Sequence, residues 1–170
     1  RRAGQRSCQP RRALINPKAL QQRALFDHPA GAGGRGGVRE GRDINAVQRI
    51  FLKAEGQGYR SKLMIGNPQA ASWQGQRPVK ILALAEGFES AARFAELHGI
   101  PTWSSLGAER LDLVRLPDRI EELIIAEDND PEGRRASLKA AQTHARDGLT
   151  IRRMAPPSGY TDWAAVPGPN

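Results

Sequence analysis

Apolar positions show no sustained period through residues 1–42, where Arg, Gln and Pro surround a short apolar stretch at Ala24 to Phe26 and Gly31 to Gly37 reads GAGGRGG. A glycine run has no side chains to bury and loses much backbone freedom on ordering, so this segment is expected to be a poorly ordered arm. Ile44 to Leu52 (INAVQRIFL) is apolar and β-branched enough for a strand. Lys53 to Gly58 reads as a turn, Tyr59 to Ile65 as the returning strand of a hairpin, and Gly66 to Arg77 as a loop.

From Pro78 onward the pattern changes. Val79 to Ala85 (VKILALA) is a nearly continuous apolar run, as in a strand buried on both faces. Ser90 to His98 places Ala91, Phe94, Ala95 and Leu97 at helical spacing, and Gly99 is a natural stop. Glu89 is expected to cap this helix. Ile100 to Ser104 predicts a short strand, Ala108 to Arg115 a short helix ahead of Pro117, and Ile120 to Ala126 a second buried strand. Pro131 suits a first helical turn, Glu132 to Arg146 an Ala-rich helix ended by Gly148, and Leu149 to Arg153 a last strand. Ala155 to Asn170 is a Pro/Gly-rich tail. This alternation predicts an α/β fold, a mainly parallel sheet with helices on both faces and right-handed crossovers, behind a small β-hairpin region. In such sheets the site lies at the carboxyl ends of the strands, here just after Ala85 and just after Ala126.

Both places hold acids: Glu86-Gly87-Phe88-Glu89 after the first, and Glu127-Asp128-Asn129-Asp130-Pro131-Glu132-Gly133 after the later one. Asp128 and Asp130 are two apart on extended chain and can point to one side. With Glu86 they offer hard oxygen ligands to Mg²⁺, and without a cation their charges repel. Taken alone, the Asp-x-Asp spacing also fits a plain strand-to-helix loop with Asp130 as an N-cap. An EF-hand loop fits less well, because acids are missing after Gly133.

Charge adds one asymmetry. Arg1 to Arg42 holds ten Lys/Arg against two Asp/Glu, and the rest of the chain is balanced, so the whole net charge of +8 sits in the arm. Such an arm suits phosphate backbones or is simply solvated. A single cysteine, Cys8, makes no internal disulfide and no zinc site and fits a cytoplasmic protein. No apolar run suggests a membrane span. GAGGRGG follows no clear strand, which argues against a dinucleotide fingerprint. With 39% hydrophobic and 5% aromatic residues, the core must be aliphatic. The chain opens on Arg, not Met, and is expected to be one part of a larger protein.

The order ILALAEGFESA, TWSSLGAERL, LIIAEDNDPEGRRA resembles the Toprim (topoisomerase-primase) domain, and within it the form found in bacterial, plasmid and phage primases and mobile-element primase-like proteins. Glu86-Gly87, the Ser104 to Gly107 turn and Asp128/Asp130 match its motifs in order. Asp162-Trp163 resembles its terminal motif, and Ile44 to Leu52 with Gly66 the segment before it. The resemblance implies a Rossmann-like domain over residues 78–166, a lead-in over 43–77, the arm over 1–42 and a tail over 167–170. It implies phosphoryl transfer with Mg²⁺ or Mn²⁺ held by Glu86, Asp128 and Asp130, which are also the catalytic residues. Gly87, Gly107, Gly133, Arg134 and Arg135 would meet substrate phosphates. Single-stranded DNA and nucleotides are the implied partners, with a helicase or another replication protein. A Toprim nuclease uses the same acids, and a non-catalytic Toprim module is a further alternative. A topoisomerase needs a nucleophilic tyrosine, and neither Tyr59 nor Tyr160 has a motif for that role.

Overall fold

The computed structural model describes residues 24–28, 43–54 and 58–168. Two short strands organise its core. In β5 (Ile81–Ala85), Leu82 and Leu84 pack on one side with Leu123 and Ile125 of β7 (Glu122–Ala126). Ala83 and Ala85 pack on the other side with Ile124 and Ala126. Successive side chains of a strand point to opposite faces, so a continuous apolar run requires cover on both. Helix α1 (Phe88–His98) covers the alanine side through Ala91 and Phe94. Helix α2 (Pro131–His144) covers the leucine side through Ala140, beside Leu111, Val114 and Leu116. The expected helices on both faces are therefore present.

β6 (Thr102–Ser104) runs parallel to β5 on one side, and β7 and then β8 (Thr150–Met154) run parallel on the other. The lead-in strands extend the same sheet in antiparallel fashion: β1 (Ala24–His28), β2 (Asp43–Leu52), β3 (Tyr59–Gly66) and β4 (Ser72–Gln74). The order across all eight strands is β3-β2-β1-β4-β6-β5-β7-β8.

Three expectations change. The reading of residues 1–42 as an arm fails at β1, which pairs with β2 on one side and β4 on the other. The remainder of that arm lies outside the described residues. The loop expected over residues 66–77 contains β4, which joins the lead-in strands to the parallel sheet. Ala108 to Arg115 forms a 3-10 turn at Ala108–Arg110 followed by further turns, not an α-helix. This stretch buries Leu111, Val114 and Leu116 together in the core on the leucine side of the sheet. The Pro/Gly-rich tail is anchored by Trp163, whose ring stands edge-on to Phe94 at 4.8 Å between centroids. Among the described residues no helix is long and apolar enough to cross a membrane.

Candidate functional site

β5 and β7 are neighbours in the sheet, but α1 after β5 covers one face and α2 after β7 covers the other. The crevice of a doubly wound sheet opens where adjacent strands part in this way. Ala85 pairs with Ala126, so Glu86 and the Glu127-Asp128 step leave the sheet side by side.

Burial and the charges of Asp130, Glu132 and Glu109 raise the Glu86 carboxyl above the usual range, against a lowering by the Ala108 backbone N–H. Asp128 is pushed further, to about 7, by burial and then by Glu86, Asp162 and Asp130, while Lys62 pulls it down. The Asp128 Oδ1 atom is buried without a hydrogen-bond partner. A buried acceptor left unpaired costs about 1–3 kcal/mol, so this crevice is short of a donor or of positive charge. The site acids therefore share one electrostatic environment.

Asp130 has a second task. Its Oδ1 accepts the Gly133 N–H at 2.7 Å and caps α2, with Pro131 at the start of the helix. The capping role and the acidic cluster thus coexist in one residue. Gly133 is needed for fit: a Cβ there would stand 2.7 Å from the Asp128 carbonyl oxygen and 2.9 Å from the Asp128 Cβ. A Cβ on Gly87 would meet nothing nearer than the Glu89 carboxylate at 3.8 Å, an ordinary contact, so a methyl group fits there. A Cβ on Gly107 would strike the Glu109 carboxylate. Arg134 and Arg135 lie exposed in the first turns of α2, and Arg134 donates to the Asn129 side-chain oxygen at 3.2 Å.

The turn after β6 is fastened to Glu86. The Leu106 and Gly107 N–H groups and the Ser104 hydroxyl all donate to the Glu86 carbonyl. Leu106 has φ +62°, a left-handed conformation that costs a side-chain-bearing residue about 1–3 kcal/mol and persists only where the surroundings enforce it. Arg110, buried, ties this turn to the lead-in by donating to the Ser105 and Ala71 carbonyls.

Asp162 reaches the site because the Asn129 N–H donates to the Thr161 carbonyl at 2.6 Å, drawing the tail toward the Asp128 loop. Two residues were not singled out from sequence. Lys62 of β3 crosses to the parallel half and pairs with Glu89 at 2.7 Å, and no side chain caps α1. Glu89 is therefore an ion-pair partner, not the expected cap. Glu127 is buried, accepts from the Ser137 hydroxyl of α2 and stands 3.7 Å from Arg153. Strand periodicity alone reveals neither, because both depend on which strand lies next to which.

The donors suit a hard divalent cation, since they are carboxylates whose mutual repulsion an ion would relieve. The unpaired Asp128 oxygen points the same way. Among the described residues no three acidic, histidine or cysteine side chains stand together as a ready cage. Mg²⁺ commonly takes one or two carboxylates and completes its shell with water and substrate oxygens, so the residues fit it.

Residues 81–168 match the family model for the Toprim domain, just over half of the chain. The primase fragment of the bacteriophage T7 primase-helicase protein is similar in structure, with 18% identity and a TM-score of 0.58 over 84% of this chain and 55% of that one. A DNA primase domain from Pseudomonas aeruginosa is also similar, with 16% identity and a TM-score of 0.49 over 84% of this chain and 51% of that one. The chain thus spans about half the length of these solved chains. No curated protein sequence matches it.

Proposed function

The chain belongs to the Toprim domain family, and from that premise we propose that it carries out primase-type phosphoryl transfer on nucleic acid with Mg²⁺ or Mn²⁺, as part of a larger replication protein. The observation that carries this reading is the acidic crevice between β5 and β7, where Asp130 acts on Glu86, where Glu86, Asp162 and Asp130 act on the buried Asp128, and where the Asp128 Oδ1 atom lacks a partner.

A cation held by Asp128 and Glu86, with Asp130 beside them, would supply charge stabilisation of the transferring phosphate. In the proposed reaction a 3′-hydroxyl oxygen bonds to the α-phosphorus of a nucleoside triphosphate, and the bond from that phosphorus to the bridging oxygen breaks to release pyrophosphate. Where Glu86 does not share the cation, its carboxylate would stand beside it to take the hydroxyl proton. Arg134 and Arg135 neutralise substrate phosphates. α1 begins at Gly87 without a side-chain cap, so its first-turn N–H groups face a phosphate more readily than those of α2, where Asp130 holds the Gly133 N–H. The relative from phage T7 is part of a primase-helicase protein, which makes a helicase the proposed neighbour in the full assembly.

The test is a gel assay with Mg²⁺, single-stranded DNA and labelled nucleotides, scored for synthesis and for cleavage. Primer synthesis that disappears in Asp128→Asn is the expected result. Shortened DNA without synthesis would replace the proposal with a Toprim nuclease. Neither product, with DNA still bound, would make this a binding module.

A further inference from the structure

β3 carries a half-exposed aromatic ring, Tyr59, that belongs to none of the buried core clusters. β2 and β3 lose register near the hairpin tip: Phe51 pairs with Ser61, but Leu52 pairs with Tyr59. The extra residue, Arg60, makes a bulge, and a bulge re-aims a side chain. Tyr59 is thereby turned to the face that carries Lys62. There the Lys62 ammonium stands 4.3 Å from the centre of the Tyr59 ring and 2.7 Å from Glu89 Oε2 in the first turn of α1. Lys62 is also close enough to Asp128 for its charge to act there. Tyr59 therefore sits one lysine side chain away from the acidic crevice, 49% exposed. The hairpin is cationic, since Arg49, Lys53, Arg60 and Lys62 stand against one acid, Glu55, between Ile44 and Gly66.

An aromatic face beside cations is what an unpaired strand can use. Every base offers a π-face to stack, a duplex hides those faces, and the phosphates need positive charge along the way. Resting on the nucleic-acid reading above, we propose that Tyr59 and Lys62 form a stacking subsite for an unpaired base of a single strand leaving the crevice. Tyr59 supplies the stacking surface. Lys62 exchanges the Glu89 carboxylate for a backbone phosphate, one anionic oxygen for another. The exchange loosens the ion pair between the hairpin and α1 only when a strand is present.

The experiment is metal-free fluorescence anisotropy of the full chain with oligothymidylate and with an abasic oligomer of equal length. Both oligomers carry the same phosphates, so purely electrostatic binding, including any by the basic N-terminal residues, cannot tell them apart. The wild type is expected to prefer oligothymidylate about tenfold, within the range that one stacked base supplies. Tyr59→Phe should keep this preference. Tyr59→Ala should bring it to about one, with its affinity for the abasic oligomer and its melting temperature unchanged. A wild type without the preference, a wild type that binds neither oligomer, or a Tyr59→Ala variant that keeps the preference would each overturn the subsite. No turnover enters this assay, so its failure is separate from the failure of the catalytic reading, which the Asp128→Asn gel assay decides.

Discussion

Asp128 binds its proton more tightly folded than unfolded, because burial and the surrounding carboxylates raise its pKa to about 7 from 3.8. A raised acid contributes most favourably below the unfolded pKa, and that contribution is lost as pH climbs toward the folded one. Metal-free protein should therefore weaken through Asp128 between about pH 4 and about pH 7. Asn cannot ionise and escapes the penalty. Partial exposure of the site discounts the effect, and Asp128→Asn should melt about 2–4 °C above the wild type near pH 8, the gap closing as pH falls toward 4. Adding Mg²⁺ should reverse the order, because ligand linkage stabilises the wild type by about 2.7 kcal/mol at a hundredfold excess over Kd. Melts across pH with and without Mg²⁺ measure both effects. The two glycines at the site separate packing from function. Gly133→Ala drives a Cβ into the Asp128 backbone, which cannot rotate away, and should cost about 1–3 kcal/mol in a urea melt. Gly87→Ala has room and should change stability by less than about 0.5 kcal/mol while lowering turnover.

The two helices flanking the crevice begin differently, and local sequence explains only one of them. Asp130-Pro131 is a cap-and-start signal, and α2 obeys it. α1 starts at Gly87 with no side-chain cap, and Glu89, the plausible capping group, is drawn instead to Lys62, which lies 27 residues earlier. The tail behaves as an element of the core, not as a trailing end. Trp163 is 4% exposed and stands edge-on to Phe94 and His98, and the Asp162 carboxylate accepts the Ala165 N–H at 2.9 Å to start its 3-10 turn. Trp163→Ala should cost about 3–5 kcal/mol, seen as a lower urea midpoint. It should also release Asp162 from the acidic cluster, so the difference between Asp128→Asn and its parent near pH 8 should shrink in the Trp163→Ala background.

Across the whole molecule, β1 decides where the chain can be cut. It lies inside the sheet, between β2 and β4, and these strands have no pairing with each other across it. Removing residues 1–22 leaves every described strand in place, but removing residues 1–42 takes away an internal strand and exposes two edges. The shorter truncation should retain the wild-type melting temperature, and the longer one should aggregate or lose its cooperative melt. Residues 1–22 carry six Lys/Arg and no acid, so the shorter truncation should also reduce the salt dependence of duplex binding, by roughly 0.9 in the logarithmic slope for each phosphate that is no longer neutralised. The sequence by itself determined the parallel half: unbroken apolar runs at β5 and β7 demand cover on both faces, and Gly99 and Pro131 punctuate the helices, although α2 ends at His144, ahead of the stop expected at Gly148. Strand ends then located Glu86 and Asp128 without any structure, because the crevice of such a sheet has a fixed place. β1 stayed hidden because five residues beside a glycine run have no period of their own, and their pairing is made by distant neighbours. Lys62, Glu127 and the strain at Leu106 stayed hidden for a related reason. Each depends on contacts between segments far apart in the chain, and side-chain spacing within one segment carries no record of what is folded against it.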